Sequence, residues 1–487
     1  MSIENILNIA STGIMAQRVA IEVTSENIAN VNTPGYSRQR VVMQSSLPIS
    51  TGGFGGGVLV EGVQRSYDGL LQQQIVSGSS DYANSLARQS ALQEVEPLFN
   101  ELTGSGLGQA MDDFFNSWQD LTLNPQGSPE RQALLTSSQL MVDRFRQLNA
   151  SLVRIQSAAD SSLSGIVDFI NDKAESIARL NGQILQAEQL GVNANELKDN
   201  RDYLLQQLGE KVGISFSQQT DGTVAVSLPG GEPLVAGIQY ASLSIVSVAT
   251  TGSNLPNPAN SIHVTAIGNP PPAPQGTDAD ITQSVGGADN SKGEMGAALY
   301  VRDLLIKGYL DKLDAMAKTM VTEVNAKHNL GYGLDGSSGD FFDPAGITSA
   351  SIALSTGFSA AKIAAAGPLP APAGVDPGNN VNALAMADLK TKVVDFVVGG
   401  VTSSTQFGTF QNIFVSGVGS DLQSAKNTQQ QDDGYLRQLK LMRESISGVS
   451  IDEEMTNLIK YQRGFEASAR LVSVAGEMYD AVLAMLR

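Results

Sequence analysis

Residues 28–36 read IANVNTPGY: two asparagines, a Thr-Pro step, a glycine and a tyrosine in close succession. Asn30 and Asn32 tolerate the left-handed conformation that ends helices, Pro34 drives Thr33 out of the helical region, and Pro34-Gly35 suits the two central positions of a type II turn. The chain must stop a helix here and turn. What precedes the turn is that helix. Leu7, Ile14, Ile21 and Ile28 recur every seven residues, with Ile3, Ala10, Gln17, Thr24 and Val31 in the second seam position, so residues 3–31 read as one amphipathic helix.

The other end of the chain mirrors it. In SGVSIDEEMTNLIKYQRGFEASARLVSVAGEMYDAVLAMLR, Ser450 and Glu453 stand as a capping box, and Asp452, Glu453 and Glu454 load the first turn with the sign that a helix dipole favours. Leu458, Phe465, Val472, Tyr479 and Leu486 then repeat every seven residues. Each seam needs a partner, either the other terminal helix or copies of the chain. The second seam carries Ala10, Gln17 and Thr24 on one side and Gln462, Ala469 and Gly476 on the other. An isolated pair of this kind buries little against an ordering entropy of about 1–2 kcal/mol per residue, which predicts terminal segments that gain their helices only in an assembly.

Between the ends, apolar residues keep helical spacing over residues 67–102 and 129–190 (Phe145, Leu148, Leu152, Ile155; Ile166, Ile170, Ile177, Leu180, Ile184). The second run reaches roughly 90 Å if it is one helix, and Gly165 and Gly182 are the two places where it could break. MDDFFNSWQDLTLNP places Phe114, Phe115 and Trp118 on a shorter helix ended by Asn124-Pro125, and NELKDNRDYLLQQLGEKVG reads as another. Residues 214–285 change to alternating β-formers and turns, as in GTVAVSLPGGEPLVAG, with the proline-rich loop GNPPPAPQG. Helical spacing returns over 293–329, followed by loops that include GPLPAPAGVDPGNN. The expected fold class is mainly α with a β-rich insertion: terminal coiled-coil helices (1–33 and 450–487), a long-helix main domain (34–235 and 292–449), discontinuous in sequence, and an insertion (236–291) that shortening should not harm.

A chain of 487 residues buries a large core without metals or disulfides, and this one has no cysteine, which excludes thiol nucleophiles and thiolate zinc sites. A net charge of −18 with no cluster of Lys and Arg argues against nucleic acid or an anionic membrane as partner. The start, MSIENILNIASTG, lacks the basic and unbroken apolar regions of a cleavable signal, and no stretch is apolar for long enough to span a membrane. His263 and His328 are the only histidines, and both read as structural. Ser359-Ala360-Ala361-Lys362 matches a Ser-x-x-Lys nucleophile pattern without its partner motifs. DGSSGDFFD sets Asp335, Asp340 and Asp343 on a loop without calcium-loop spacing, and GGFGGG and GSGLG lack a phosphate-binding lysine. No catalytic, cofactor or metal residue is expected, and no cofactor.

Taken together, the first helix, the stretch Ala29, Asn30, Val31, Asn32, Thr33, Pro34, Gly35, Tyr36 and the final helix resemble the flagellar axial proteins of bacteria, the rod, hook and hook-associated family with its ANxxTPGY motif. The tail, with YSRQRV, NELKDNRDYLLQQL, GAALYVRDLLIKGYLDKLDAMA, VNAKHNLGYGLDGSSGDFF and NNVNALAMADL in order, resembles the members that join hook to filament. Larger members carry a β-rich outer domain for which Phe342 and Ile363 are too close here. The resemblance implies a structural protein exported through the flagellar type III apparatus and assembled as a ring. Its implied partners are its own copies, hook protein below, the second junction protein (hook-associated protein 3) above, and an export chaperone on the last helix. The turn at Ala29, Asn30, Thr33, Pro34, Gly35 and Tyr36 would then set the angle between an inner tube and an outer layer, with the Tyr36 ring as anchor. A hook or distal-rod protein is the nearest alternative; a secreted serine hydrolase using Ser359 and Lys362, or a coiled-coil adhesin, are the others.

Overall fold

The structure is a computed structural model that describes residues 3–46, 56–99, 106–250, 254–268, 279–287, 291–368 and 376–485. Leu486 and most of the proline-rich loops and of GGFGGG lie outside the described residues. Helix α1 (Ile3–Ala29) leads into the hairpin β1 (Gln39–Ser45) and β2 (Val58–Arg65), which has a bulge at Val42/Met43. Helices α2 (Gly69–Val95), α3 (Leu107–Leu123), α4 (Ser128–Gln189) and α5 (Asn195–Lys211) follow. Asp68 starts α2 by accepting the amides of Leu70 and Leu71, and a proline in its first turn starts α4.

The β-rich part is two antiparallel sheets. One holds β3 (Ser215–Gln218), β4 (Val224–Ser227), β5 (Pro233–Ala236) and β6 (Gln239–Tyr240); the other holds β7 (Leu243–Val248), β8 (Ala259–Val264) and β9 (Ala279–Asp280). Then come α6 (Thr282–Gly286), α7 (Gly293–Tyr300), a π-turn (Val301–Ile306) and α8 (Lys307–His328). After α9 (Val381–Ala387), the hairpin β10 (Val394–Val398) and β11 (Val401–Thr405) closes through Gly399-Gly400, both at positive φ as a tight two-residue turn requires. Helices α10 (Phe407–Ser447) and α11 (Ile451–Met485) end the described chain.

Two large apolar cores fill the main domain. The first gathers Phe114, Trp118, Phe145, Phe341, Phe342, Phe396 and Phe414 where α3, α4, α8 and α10 meet. The second joins the far half of α4 (Leu163, Ile170, Ile177) to α5, α7 and both sheets (Val226, Val235, Ile262). A smaller cluster of Leu71, Ile75, Leu436 and Leu439 fastens α2 to α10.

The mainly helical class with a β-rich insertion stands. Helix α4 spans nearly the whole 129–190 run unbroken: Gly165 faces open space, and Gly182 lets Ile238 approach to 3.5 Å of where its Cβ would lie. The β structure begins at Ser215, where the alternating β-formers begin and ahead of the insertion bound at 236, because Val224 and Val226 complete the second core. One detail differs from expectation: the sheets are part of that core rather than an appendage. The segment between Phe342 and Ile363 is a compact loop, with Phe342 bridged to Leu354.

Candidate functional site: the joint of the terminal helices

Helices α1 and α11 pack antiparallel: Gly13 lies against Ser468, Gln17 against Gly464, and Asn27 against Glu454. The buried face of α1 is made of small or short residues, Ala10, Ala16, Ala20, Val23, Thr24 and Asn27. The axes come so close that a Cβ at Gly13 would sit 3.0 Å from Ser468 Oγ and one at Gly464 2.9 Å from Gln17 Cδ. Both segments are therefore helical in the single chain, against the expectation of terminal segments without helix; close approach of two backbones replaces the burial of large side chains.

Of the two expected seam positions on α1, the second lies at this contact, with Ala10 and Thr24 buried and Gln17 against Gly464. Leu7, Ile14, Ile21 and Ile28 are half-buried, as are Leu458 and Val472, while Phe465 and Tyr479 are 36% and 55% exposed. The heptad position with the largest residues stays partly open, and the one with the smaller residues on α1 is buried.

The motif residues form the turn itself. Tyr36 N–H bonds the Thr33 carbonyl at 3.2 Å, with Gly35 at φ 86°, so Pro34-Gly35 occupy the centre of a type II turn. No non-glycine residue described has positive φ, so the asparagines do not use the left-handed conformation. Asn30 instead caps the helix end, donating to the Glu26 carbonyl and accepting from Thr33 Oγ1. Ala29 and Pro34 are exposed. Tyr36 anchors through its hydroxyl, which donates to Asn27 Oδ1 at 2.9 Å, and burial pushes its phenol well above the ordinary range.

Around that turn lies a polar clasp. Asn27, 1% exposed, accepts the Gln39 amide at 2.9 Å and donates to the Gln39 carbonyl at 2.8 Å and to Glu454 Oε2 at 3.1 Å. Arg38 holds Glu453 at 2.9 Å and Glu454 at 2.7 Å, and its amide bonds the Ser447 carbonyl. Glu453 thus serves the clasp rather than the expected capping box. On the main-domain side, Arg65 bridges Asp199 at 2.6 Å and Asp202 at 3.0 Å, and Asp199 also accepts the Ser37 amide. Burial pushes the Asp202 carboxyl up, against the pull of Arg65. One cluster therefore ties α1, the β1–β2 hairpin, α5 and the α10–α11 corner. Sequence reading missed Asn27 and Arg65; Arg38 and Gln39 lie inside YSRQRV, Asp199 and Asp202 inside NELKDNRDYLLQQL, and Glu454 in the acidic first turn of the last helix, but none of them reads as part of a clasp.

The residues of the alternative chemical sites have local structural partners. Lys362 Nζ donates to the Gly357 carbonyl at 2.9 Å and not to Ser359. His328 is buried, bonded through Nδ1 to the Gly339 carbonyl at 2.6 Å and through Nε2 to the Ala364 amide at 2.9 Å, and burial lowers its pKa to about 4. Asp335 and Asp343 cap their own turns, and Asp340 accepts from Asn329. Among the described residues no group of His, Asp or Glu is placed to hold a metal, and no helix is long and apolar enough to cross a membrane.

Comparison with known proteins points the same way as the joint. The model of the flagellar hook-associated protein FlgK helical domain matches residues 92–342. Models of the flagellar basal body rod FlgEFG protein C-terminal and of the flagella basal body rod protein match residues 443–485 and 7–36. Flagellar hook-associated protein 1 of Bacillus subtilis is 27% identical over 98% of this chain and 97% of its own, and that of Escherichia coli 26% over 98% and 99%. The solved flagellar hook junction protein FlgK of Burkholderia pseudomallei shares the fold, with a TM-score of 0.66 at 15% identity over 77% of this chain and all of that one.

Proposed function

This chain belongs to the flagellar hook-associated protein FlgK family, and from that premise we propose that it forms a ring of copies held through α1 and α11. As a family member it is a structural component of the flagellum at the hook–filament junction. The observation that supports ring assembly is what the terminal pair leaves uncovered. With the small faces spent inside one chain, Met455, Ile459, Leu471, Val474, Met478 and Tyr479 line α11 exposed, and Leu7, Ile14, Ile21 and Ile28 stay half-open on α1. Large apolar residues left exposed along two helices of this length call for cover.

In this reading residues 1–33 and 450–487 form the inner layer and 34–235 with 292–449 the outer one, and the insertion at 236–291 is part of the outer layer. Ala29, Asn30, Thr33, Pro34, Gly35 and Tyr36 set the angle between layers, which the Asn27–Arg38–Glu454 clasp supports. Hook protein below, hook-associated protein 3 above and an export chaperone on α11 are the inferred partners, and type III export to the cell exterior the inferred route. No catalysis is inferred. The test is the double substitution Val474→Asp and Met478→Asp. The purified chain should keep its helix content, while cells carrying it should make hooks and shed filament subunits into the medium. Filaments held as firmly as in the parent strain would remove the α11 stripe from assembly.

A further inference from the structure

Helix α4 runs through both apolar cores of the main domain without a break, serving the first from Leu134 to Leu152 and the second from Leu163 to Ala178. Between them lies a polar layer. Gln156, 1% exposed, donates to the carbonyls of Asn254 and Arg302, both at 2.8 Å. Asp160 takes Arg302 Nη1 at 2.5 Å and the Asn260 amide at 3.0 Å, and Arg302 also holds Asp303 at 2.6 Å.

Opposite α4 the chain changes cores at the same level, since Leu299 belongs to the second and Val301 to the first. The helix winds there as a π-turn, Val301–Ile306. Space flanks this turn on two sides. A cleft of about 420 Å³ is bounded by Arg88, Tyr300 and Leu305, and one of about 340 Å³ by Ile155, Ala159, Ala298 and Val301. Close-packed apolar layers transmit strain, because any gap opened between them forfeits contacts. A layer of long polar side chains with several acceptors keeps its bonds through a small rotation, a π-turn inside an α-helix marks a place where winding departs from its most stable form, and the clefts leave room for α7 and α8 to tilt.

We propose that this layer is a bending joint across the main domain. The half built on the first core tilts as a body against the half built on the second, about the π-turn, with α4 flexing as a continuous spring. Such a joint lets copies in one ring differ in tilt. That use rests on the ring assembly proposed above, but the joint itself is a property of the single chain and is tested there.

The chain has no cysteine, so pairs of spin labels report cleanly. Thr322→Cys with Asp172→Cys spans the layer, and Thr322→Cys with Asp120→Cys stays within the first core; all three positions are exposed. The distance distribution across the layer should be at least twofold broader than the one within the core. Ala298→Leu, which fills the smaller cleft, should narrow it. Equal widths for the two pairs in the otherwise unaltered chain overturn the joint, as does a broad distribution that a folded Ala298→Leu chain leaves unchanged. Hydrogen exchange on the unlabelled chain gives an independent reading: amides of 301–306 should exchange at least tenfold faster than those of 313–324, and equal protection also overturns it.

Discussion

The terminal helix pair and the main domain solve burial in opposite ways. In the main domain the large residues go inside, with Trp118, Phe114, Phe145 and Phe341 all but inaccessible. In the terminal pair the small ones go inside, with Ala10, Ala16, Ala20, Gly13 and Gly464 at the contact, and Met455, Ile459, Val474 and Tyr479 face out. A chain that meant to finish folding alone would not expose its largest apolar residues along two long helices. The contrast separates a part whose core is complete within the chain from a part that leaves large apolar residues open, as the proposed assembly requires.

The sharpest way to break that contrast is to truncate one large residue from each part. Phe145→Ala should destabilise the main domain by about 3–5 kcal/mol, and Tyr479→Ser should change stability by about 0.5 kcal/mol or less, both read from urea unfolding. Comparable losses at the two sites would show that the terminal stripe is already buried in the single chain.

Acid gives the next largest effect and should act on the main domain alone. His328 is held neutral, with a pKa of about 4 against an ordinary value near 6.5. Protonation favours the unfolded chain, so the stability is present in full above about pH 6.5 and is lost as pH falls towards 4. The shift corresponds to about 3 kcal/mol. Amides in the loop 329–366, which the imidazole straps through Gly339 and Ala364, should lose protection over that window. A His328→Gln chain should lose the pH dependence there; retention of it would assign the effect to other groups.

The smallest effect should sit at the joint between the two parts. Gly35→Ala puts a side chain at φ 86°, which costs about 1–2 kcal/mol, and sets its Cβ 3.0 Å from Tyr203 Cβ. Limited trypsin digestion should then cut sooner at Arg38 and Arg40 with the main domain intact. Unchanged cutting there would mean that the clasp, not the turn, carries the joint.

How much of this was legible depended on range. The type II turn at Pro34-Gly35 could be read because Pro limits its own and the preceding backbone, and Gly alone accepts the required φ freely. The helices could be read because apolar spacing repeats locally. The unbroken course of α4 could not, since Gly165 and Gly182 weaken a helix by propensity while packing along both cores overrides them. The clasp was hidden for another reason. Asn27, Arg38, Asp199 and Glu454 come from four separated stretches, and a single buried asparagine in a helix has no periodic signature.

By itself, then, the amino-acid sequence determined that this protein has an amphipathic helix at each end, a fixed turn after the first, long helices between, a β-rich insertion and no thiol. All of these follow from backbone preferences, residue inventory and side-chain period, which act within a few residues. Only the tertiary structure decided which face of each terminal helix is spent inside the chain. Hydrophobicity ranks Leu, Ile and Phe above Ala and Gly, but two helices approach most closely where side chains are smallest, and that choice depends on both helices at once.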